Sequence, residues 1–245
     1  MLRILFGSIR RTLSNAPGHQ HPHSLLSPKM GPVQKVLSGK TSLISTPIIR
    51  PRYNIQDHLR EPAVKVLSAT KTVFLVDESL LETEGNLLSN LFLEARDAIA
   101  GIVELSNSRG LRGIDLHMLH QDGYAENMLS VDDLTNMFAK VQVDGTETPT
   151  GTRLAQLLDH YLPLIEFPES THAPITITVV SGSAPTDPDV LVKCIVAAAQ
   201  RLDDSGVRSD MFGIQFIQMG TEAATRSALR LLGDNFAARH NIRVC

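Results

Sequence analysis

Three polar segments stand directly beside long apolar runs, and they hold the residues that could do chemistry in this 245-residue chain. Asp77, Glu78 and Ser79 follow the run Thr72 to Val76. Thr146, Glu147, Thr148, Pro149, Thr150 and Gly151 precede a leucine-rich segment, and Ser181, Gly182, Ser183, Ala184, Pro185, Thr186 and Asp187 follow Ile175 to Val180. A carboxylate at the end of a buried strand is a sensible metal ligand or nucleophile. Asp77 in either role, in a metal-dependent enzyme of phosphoryl chemistry, is therefore one reading. The rest of such a site is missing: the sequence has no Walker A loop, no G-x-G-x-x-G after a strand, and no second Asp two residues beyond Asp77. The Ser181, Gly182, Ser183 turn lacks the G-x-S-x-G elbow of hydrolases, and His117, His120 and His160 stand near no nucleophile motif. The expectation is that the chain is not an enzyme, with His117 and His120 as residues of a half-buried strand end.

Composition narrows the classes further. Residues 1–56 carry eight Lys or Arg and no Asp or Glu, while the remainder carries fifteen basic and twenty-six acidic residues. An acidic domain without an aromatic-interleaved basic stripe repels phosphate backbones, which argues against nucleic acid as a partner. No run of eighteen apolar residues exists, so no transmembrane helix is expected. Cys194 and Cys245 cannot build a disulfide framework, and a reducing, cytoplasmic setting is the simple expectation. Cys194 shares a helical face with Leu191, Ile195, Ala198 and Leu202 and reads as an unreactive core residue.

Residues 1–70, rich in Ser, Pro and His and broken by seven prolines, are expected to form a disordered basic tail. Its first dozen residues set Leu2, Leu5, Phe6 and Ile9 beside Arg3, Arg10 and Arg11 without any acid, which gives a mitochondrial location as the alternative. Read without import, Leu2 to Ile9 is a short sticky segment. His19, His21 and His23 could grip a transition metal only with an orienting shell that such a segment lacks.

The elements that must position the three polar segments follow from periodicity. Thr72 to Val76, Ile175 to Val180 and Phe212 to Met219 read as buried strands, with a shorter one at Ile114 to Leu119. Between them lie amphipathic helices: one bearing Leu88, Leu91, Phe92, Ala95, Ile99 and Ile102, and one bearing Leu154, Leu157, Leu158, Tyr161 and Leu162 that stops at Pro163. Thr186, Asp187 and Pro188 announce a third, and Ser130 with Asp133 caps a short one reaching Phe138. A last helix is expected over 222–239. Strands alternating with helices give an α/β fold, a three-layer, doubly wound and mostly parallel sheet flanked by helices. In such sheets ligands sit beyond the carboxyl ends of the strands where strand order reverses, which selects the three polar segments.

The phrases TVFLVDES, VDDLTNMFAKVQVDGTETPTGTRLAQLLDHYL, ITITVVSGSAPTDPD and FGIQFIQMG resemble, in order over residues 71–244, the von Willebrand factor type A domains of many uncharacterised fungal proteins. The resemblance implies a Rossmann-like domain over 71–245 that binds a protein partner, or acts as a scaffold, through its carboxyl-end loops. It also implies a metal ion-dependent adhesion site that holds magnesium on an Asp-x-Ser-x-Ser loop, a Thr and an Asp. Asp77 and Ser79 match the first two positions and Thr148 the threonine, whereas Leu81 replaces the third serine and Ser181 the aspartate. One carboxylate offers a dication far less than two, so Mg2+ binding at Asp77, Ser79, Thr148 and Ser181 is expected to be degenerate. Glu78 and Asp187 are the acids near enough in sequence to compensate. Without a metal, Asp77 would cap its own turn, and Thr148 and Ser181 would make ordinary turn hydrogen bonds. Related domains continue past the position of Ile242 and Arg243, so the domain is expected to be truncated at its C-terminal end, with a sheet edge left exposed.

Overall fold

The structure is a computed structural model that describes residues 3–9, 65, 67–81, 90–141, 147–167, 170–220, 223–233 and 236–240. By contacts the chain divides into a unit of residues 1–10 with 51–245 and a second of 11–50, and the described residues belong to the first. Among them six strands form one sheet: β1 Arg3–Ile9, β2 Lys71–Val76, β3 Ile114–Met118, β4 Tyr124–Met128, β5 Ile175–Ser181 and β6 Phe212–Met219, in the order β1-β6-β5-β2-β3-β4. Every neighbouring pair is parallel except β4, which runs antiparallel to β3. The helices are α1 Asn90–Ser108, α2 Val131–Ala139, α3 Thr150–Tyr161, α4 Pro188–Asp204, α5 Ala223–Gly233 and α6 Phe236–His240, with 3-10 turns at Glu78–Leu81 and Leu162–Leu164.

Strands covered on both faces need apolar residues on both, and alternate side chains go to opposite layers. Val73 and Leu75 of β2 share a cluster with Leu154 and Leu158 of α3 and Leu191 and Ile195 of α4. Their neighbours Phe74 and Val76 share the other with Phe92 and Ile99 of α1 and Leu134 and Phe138 of α2. The three-layer, doubly wound α/β architecture expected from the sequence is thus present.

β2 lies in the middle. From it the chain steps to β3 and β4 on one side, then returns to β5 on the other, so strand order reverses between β2 and β5. The two strands end level: Val76 is opposite Val180, and the Asp77 N–H donates to the Val180 carbonyl at 3.0 Å. The crevice of a doubly wound sheet therefore opens between Asp77 and Ser181.

Most of 1–70, expected as a disordered tail, lies outside the described residues; within it Arg3–Ile9 is a strand paired along its length with β6. That segment contains no proline, and the unpaired backbone of β6 is a ready template for it. Of the last helix, expected over 222–239, the described residues are α5 up to Gly233 and α6 from Phe236, with 234–235 outside them. Leu88, His19, His21, His23, Ile242, Arg243 and Cys245 fall outside the described residues.

Candidate functional site

Asp77 is the first residue after β2 and only 2% exposed. Its Oδ1 accepts the Ser79 N–H at 2.9 Å, the capping of its own turn that an acid in this place can provide. Its Oδ2 accepts the Ser181 hydroxyl at 2.5 Å across the switch point. The Ser181 hydroxyl also lies 3.0 Å from the Ser183 carbonyl and accepts the Ser183 N–H at 3.2 Å, which folds the turn after β5 back on itself. The Ser79 and Ser183 hydroxyls meet at 3.2 Å and complete the ring. The structure thus brings Asp77, Ser79 and Ser181 together and adds Ser183.

Thr148 is buried but its hydroxyl is turned to the backbone of the third loop, donating to the Ala184 carbonyl at 2.8 Å. Its own carbonyl accepts from Thr150 N at 2.7 Å and Thr186 N at 3.0 Å. Asp187 stands at the N-cap of α4 without capping it, Pro188 supplying the N1 position. Its carboxylate reaches across to α3 instead: Oδ1 accepts Gly151 N at 2.8 Å, and Oδ2 accepts Thr152 N at 2.7 Å and the Thr152 hydroxyl at 2.8 Å. α3 begins after Pro149, which offers no side-chain cap, so its free N–H groups and positive end are met by a carboxylate from another loop. The approach requires a glycine: a Cβ on Gly151 would lie 2.3 Å from Leu191 N.

Glu78 is fully buried and organises the turn after β3. Oε2 accepts Leu119 N at 2.9 Å and His120 N at 3.0 Å, and Oε1 accepts Gln121 N at 3.2 Å. The His120 Nδ1 lies 3.0 Å from Oε2, and the opposite ring nitrogen, Nε2, contacts the Glu147 carbonyl. Burial alone would depress the His120 pKa, but the Glu147 carbonyl and the Glu78 carboxylate outweigh it and hold it above 6.5. Arg153 on α3 adds bonds to the carbonyls of Met118 at 3.1 Å and Gln121 at 3.2 Å.

His117, expected at a half-buried strand end, is instead buried within β3. The Tyr161 hydroxyl donates to Asp115 Oδ2 at 2.8 Å, so at 3.0 Å from His117 Nε2 it can only accept, which fixes the imidazole proton on Nε2. Asp115 also accepts Asn127 N at 2.8 Å and pairs with Lys71 at 2.7 Å. Burial, then the charge of Arg153, push the His117 pKa down to about 4, and burial with the Asp115 bond raises that of Tyr161. Cys194 is half-buried against the cluster that holds Leu191 and Ile195, its thiol pushed up to about 12 by burial and then by Asp187.

A magnesium ion asks for octahedral oxygen ligands, anionic ones foremost. The crevice offers one carboxylate, both of whose oxygens accept hydrogen bonds, and hydroxyls that bond to one another or to carbonyls. Neither candidate for compensation supplies the missing charge, since Glu78 serves the 119–121 backbone and Asp187 the start of α3. Among the described residues no three of His, Cys, Asp and Glu are placed to hold a metal ion together. The donor set does not fit a tightly held dication.

No family model matches the chain, and no curated protein matches it. Among solved structures, the crystal structure of the SpRpn10 VWA domain is similar at a TM-score of 0.38 and 14% identity, over 66% of this chain and 95% of that one. Among the described residues no helix is long and apolar enough to cross a membrane.

Proposed function

We propose that the crevice between β2 and β5 is a docking surface for a protein partner, in a von Willebrand factor type A-like module that is not an enzyme and works without a metal ion. The observation that carries the reading is the closure of Asp77. Its Oδ1 and Oδ2 accept bonds from Ser79 and Ser181, which leaves the crevice a rigid ring of hydroxyls. The resemblance of residues 71–244 to such domains supports the module, and the hydroxyls of the crevice being turned on one another, on Asp77 and on backbone carbonyls supports binding over catalysis.

Two measurements on the full chain test it. Thermal unfolding in millimolar magnesium or manganese should match unfolding in chelator, because only a ligand of the native state raises its stability. A rise that Asp77→Asn abolishes would overturn the metal-free part. Crosslinking capture should recover a partner with wild type and with Glu104→Arg on the exposed side of α1, and lose it with Ser183→Arg in the crevice. Capture indifferent to Ser183→Arg would overturn the surface.

A further inference from the structure

We propose that His120 is a proton-gated clamp: as an imidazolium it ties the Glu147–Thr148 loop to Glu78, and loss of its proton releases that loop from the rim of the crevice. The argument is one of donors and acceptors. Nδ1 faces Glu78 Oε2 at 3.0 Å and Nε2 faces the Glu147 carbonyl, so both ring nitrogens meet groups that accept. A neutral imidazole carries one N–H and can satisfy only one of them, whereas the imidazolium carries two. Glu78 is a poor place for the shared proton, because its remaining partners, the N–H groups of Leu119, His120 and Gln121, all donate.

The charged groups around the ring favour the same state. Glu78 and Asp77 face it from the loop after β2, and Glu147 belongs to the loop before α3. Arg153 on α3 is a like charge beside the same turn; its guanidinium is engaged with the carbonyls of Met118 and Gln121, with Gln156, and at 4.0 Å with Asp122.

The two bonds are not equal when a proton leaves. Glu78 is wholly buried and charged, and a carboxylate accepts a stronger hydrogen bond than a peptide carbonyl, so the remaining N–H stays on Nδ1. The Glu147 carbonyl then faces a ring lone pair. The next residue, Thr148, is the knot of the crevice, holding Ala184 through its hydroxyl and Thr150 and Thr186 through its carbonyl. Raising the pH therefore slackens the bonds that fix the second loop against the third. Control of partner docking by this clamp rests on the reading of the crevice given above. The clamp itself does not.

The test is a nuclear magnetic resonance titration of the labelled full chain from pH 5.5 to 9, following the His120 ring and the amides of Glu147, Thr148 and Thr186. His120 should titrate above 6.5, and the three amides should shift with the same midpoint. Hydrogen exchange at Thr186 N–H should accelerate about tenfold beyond the intrinsic effect of pH as its acceptor loosens. In His120→Gln the amides should be independent of pH over this range and resemble wild type at high pH. A His120 midpoint at or below 6.5, amides that stay still through its titration, or the same amide shifts in His120→Gln would each overturn the clamp. Each of these outcomes concerns the loop alone, so it is distinguishable from failure of the partner-docking reading.

Discussion

Lowering the pH from 7 to 4 charges His117 against its surroundings, and the cost can be worked from its position. The imidazole is 6% exposed and donates through Nε2 to a hydroxyl, which itself donates to Asp115. Its folded pKa is about 4 against 6.5 unfolded, so as the pH falls the unfolded chain takes the proton first. Stability is unaffected by this group above about 6.5, falls between 6.5 and about 4, and levels off below. At about 1.4 kcal/mol per unit the full loss is about 3 kcal/mol, an upper figure because local opening can hydrate the ring. His117→Gln keeps a donor toward Tyr161 and has nothing to titrate. Urea unfolding of both proteins at half-unit steps separates this histidine from the carboxylates, which contribute equally to each. The wild type should lose about 3 kcal/mol more than His117→Gln between pH 7 and 4. Parallel curves would refute the assignment of a neutral, buried His117.

His120 acts with the opposite sign: its raised pKa gives stability that is complete below 6.5 and lost as the pH rises through the folded value, so the wild type should be most stable near 6.5 and His120→Gln should show no decline on the alkaline side of that value. Asp187→Ala removes the only side-chain cap described for α3 and should cost about 1 to 2 kcal/mol in urea unfolding, with lost exchange protection at Gly151 and Thr152. Gly151→Ala places a methyl 2.3 Å from Leu191 N, and since backbone cannot step aside as a side chain can, it should destabilise by about 3 kcal/mol or more. Lys71→Met leaves Asp115 with the Asn127 N–H and Tyr161 hydroxyl but no countercharge, and should cost about 3 kcal/mol in the same assay.

What could be read from the sequence divides along physical lines. β2, β5 and β6 are buried on both faces and appear as apolar runs, and the switch-point rule then selects Asp77, Ser79 and Ser181 before any coordinates. β4 gives no such signal: it is an edge strand, mostly exposed, containing Glu126 and an Asn127 whose φ of 52° accompanies the register shift against β3. The roles of Glu78 and Asp187 were hidden for another reason. Each carboxylate bonds to backbone N–H groups 35 to 43 residues away, and a peptide N–H has no residue type to recognise. For His117 a trace existed, since Asp115 and His117 stand two apart in a strand otherwise apolar, and so share a face that Tyr161 closes.

The position of β1 has a consequence for how the protein is made. Arg3 is opposite Gly213 and Ile9 opposite Met219, so among the described strands the earliest in the chain waits for the latest. At about 5 to 20 residues per second the roughly 210 residues between partners take on the order of 10 to 40 s to synthesise. Through that interval the segment Arg-Ile-Leu-Phe-Gly-Ser-Ile has no strand beside it, an apolar stretch open to chaperones or to neighbouring nascent chains. Crowded translation is therefore a hazard that this long-range pairing adds to those of heat and acid.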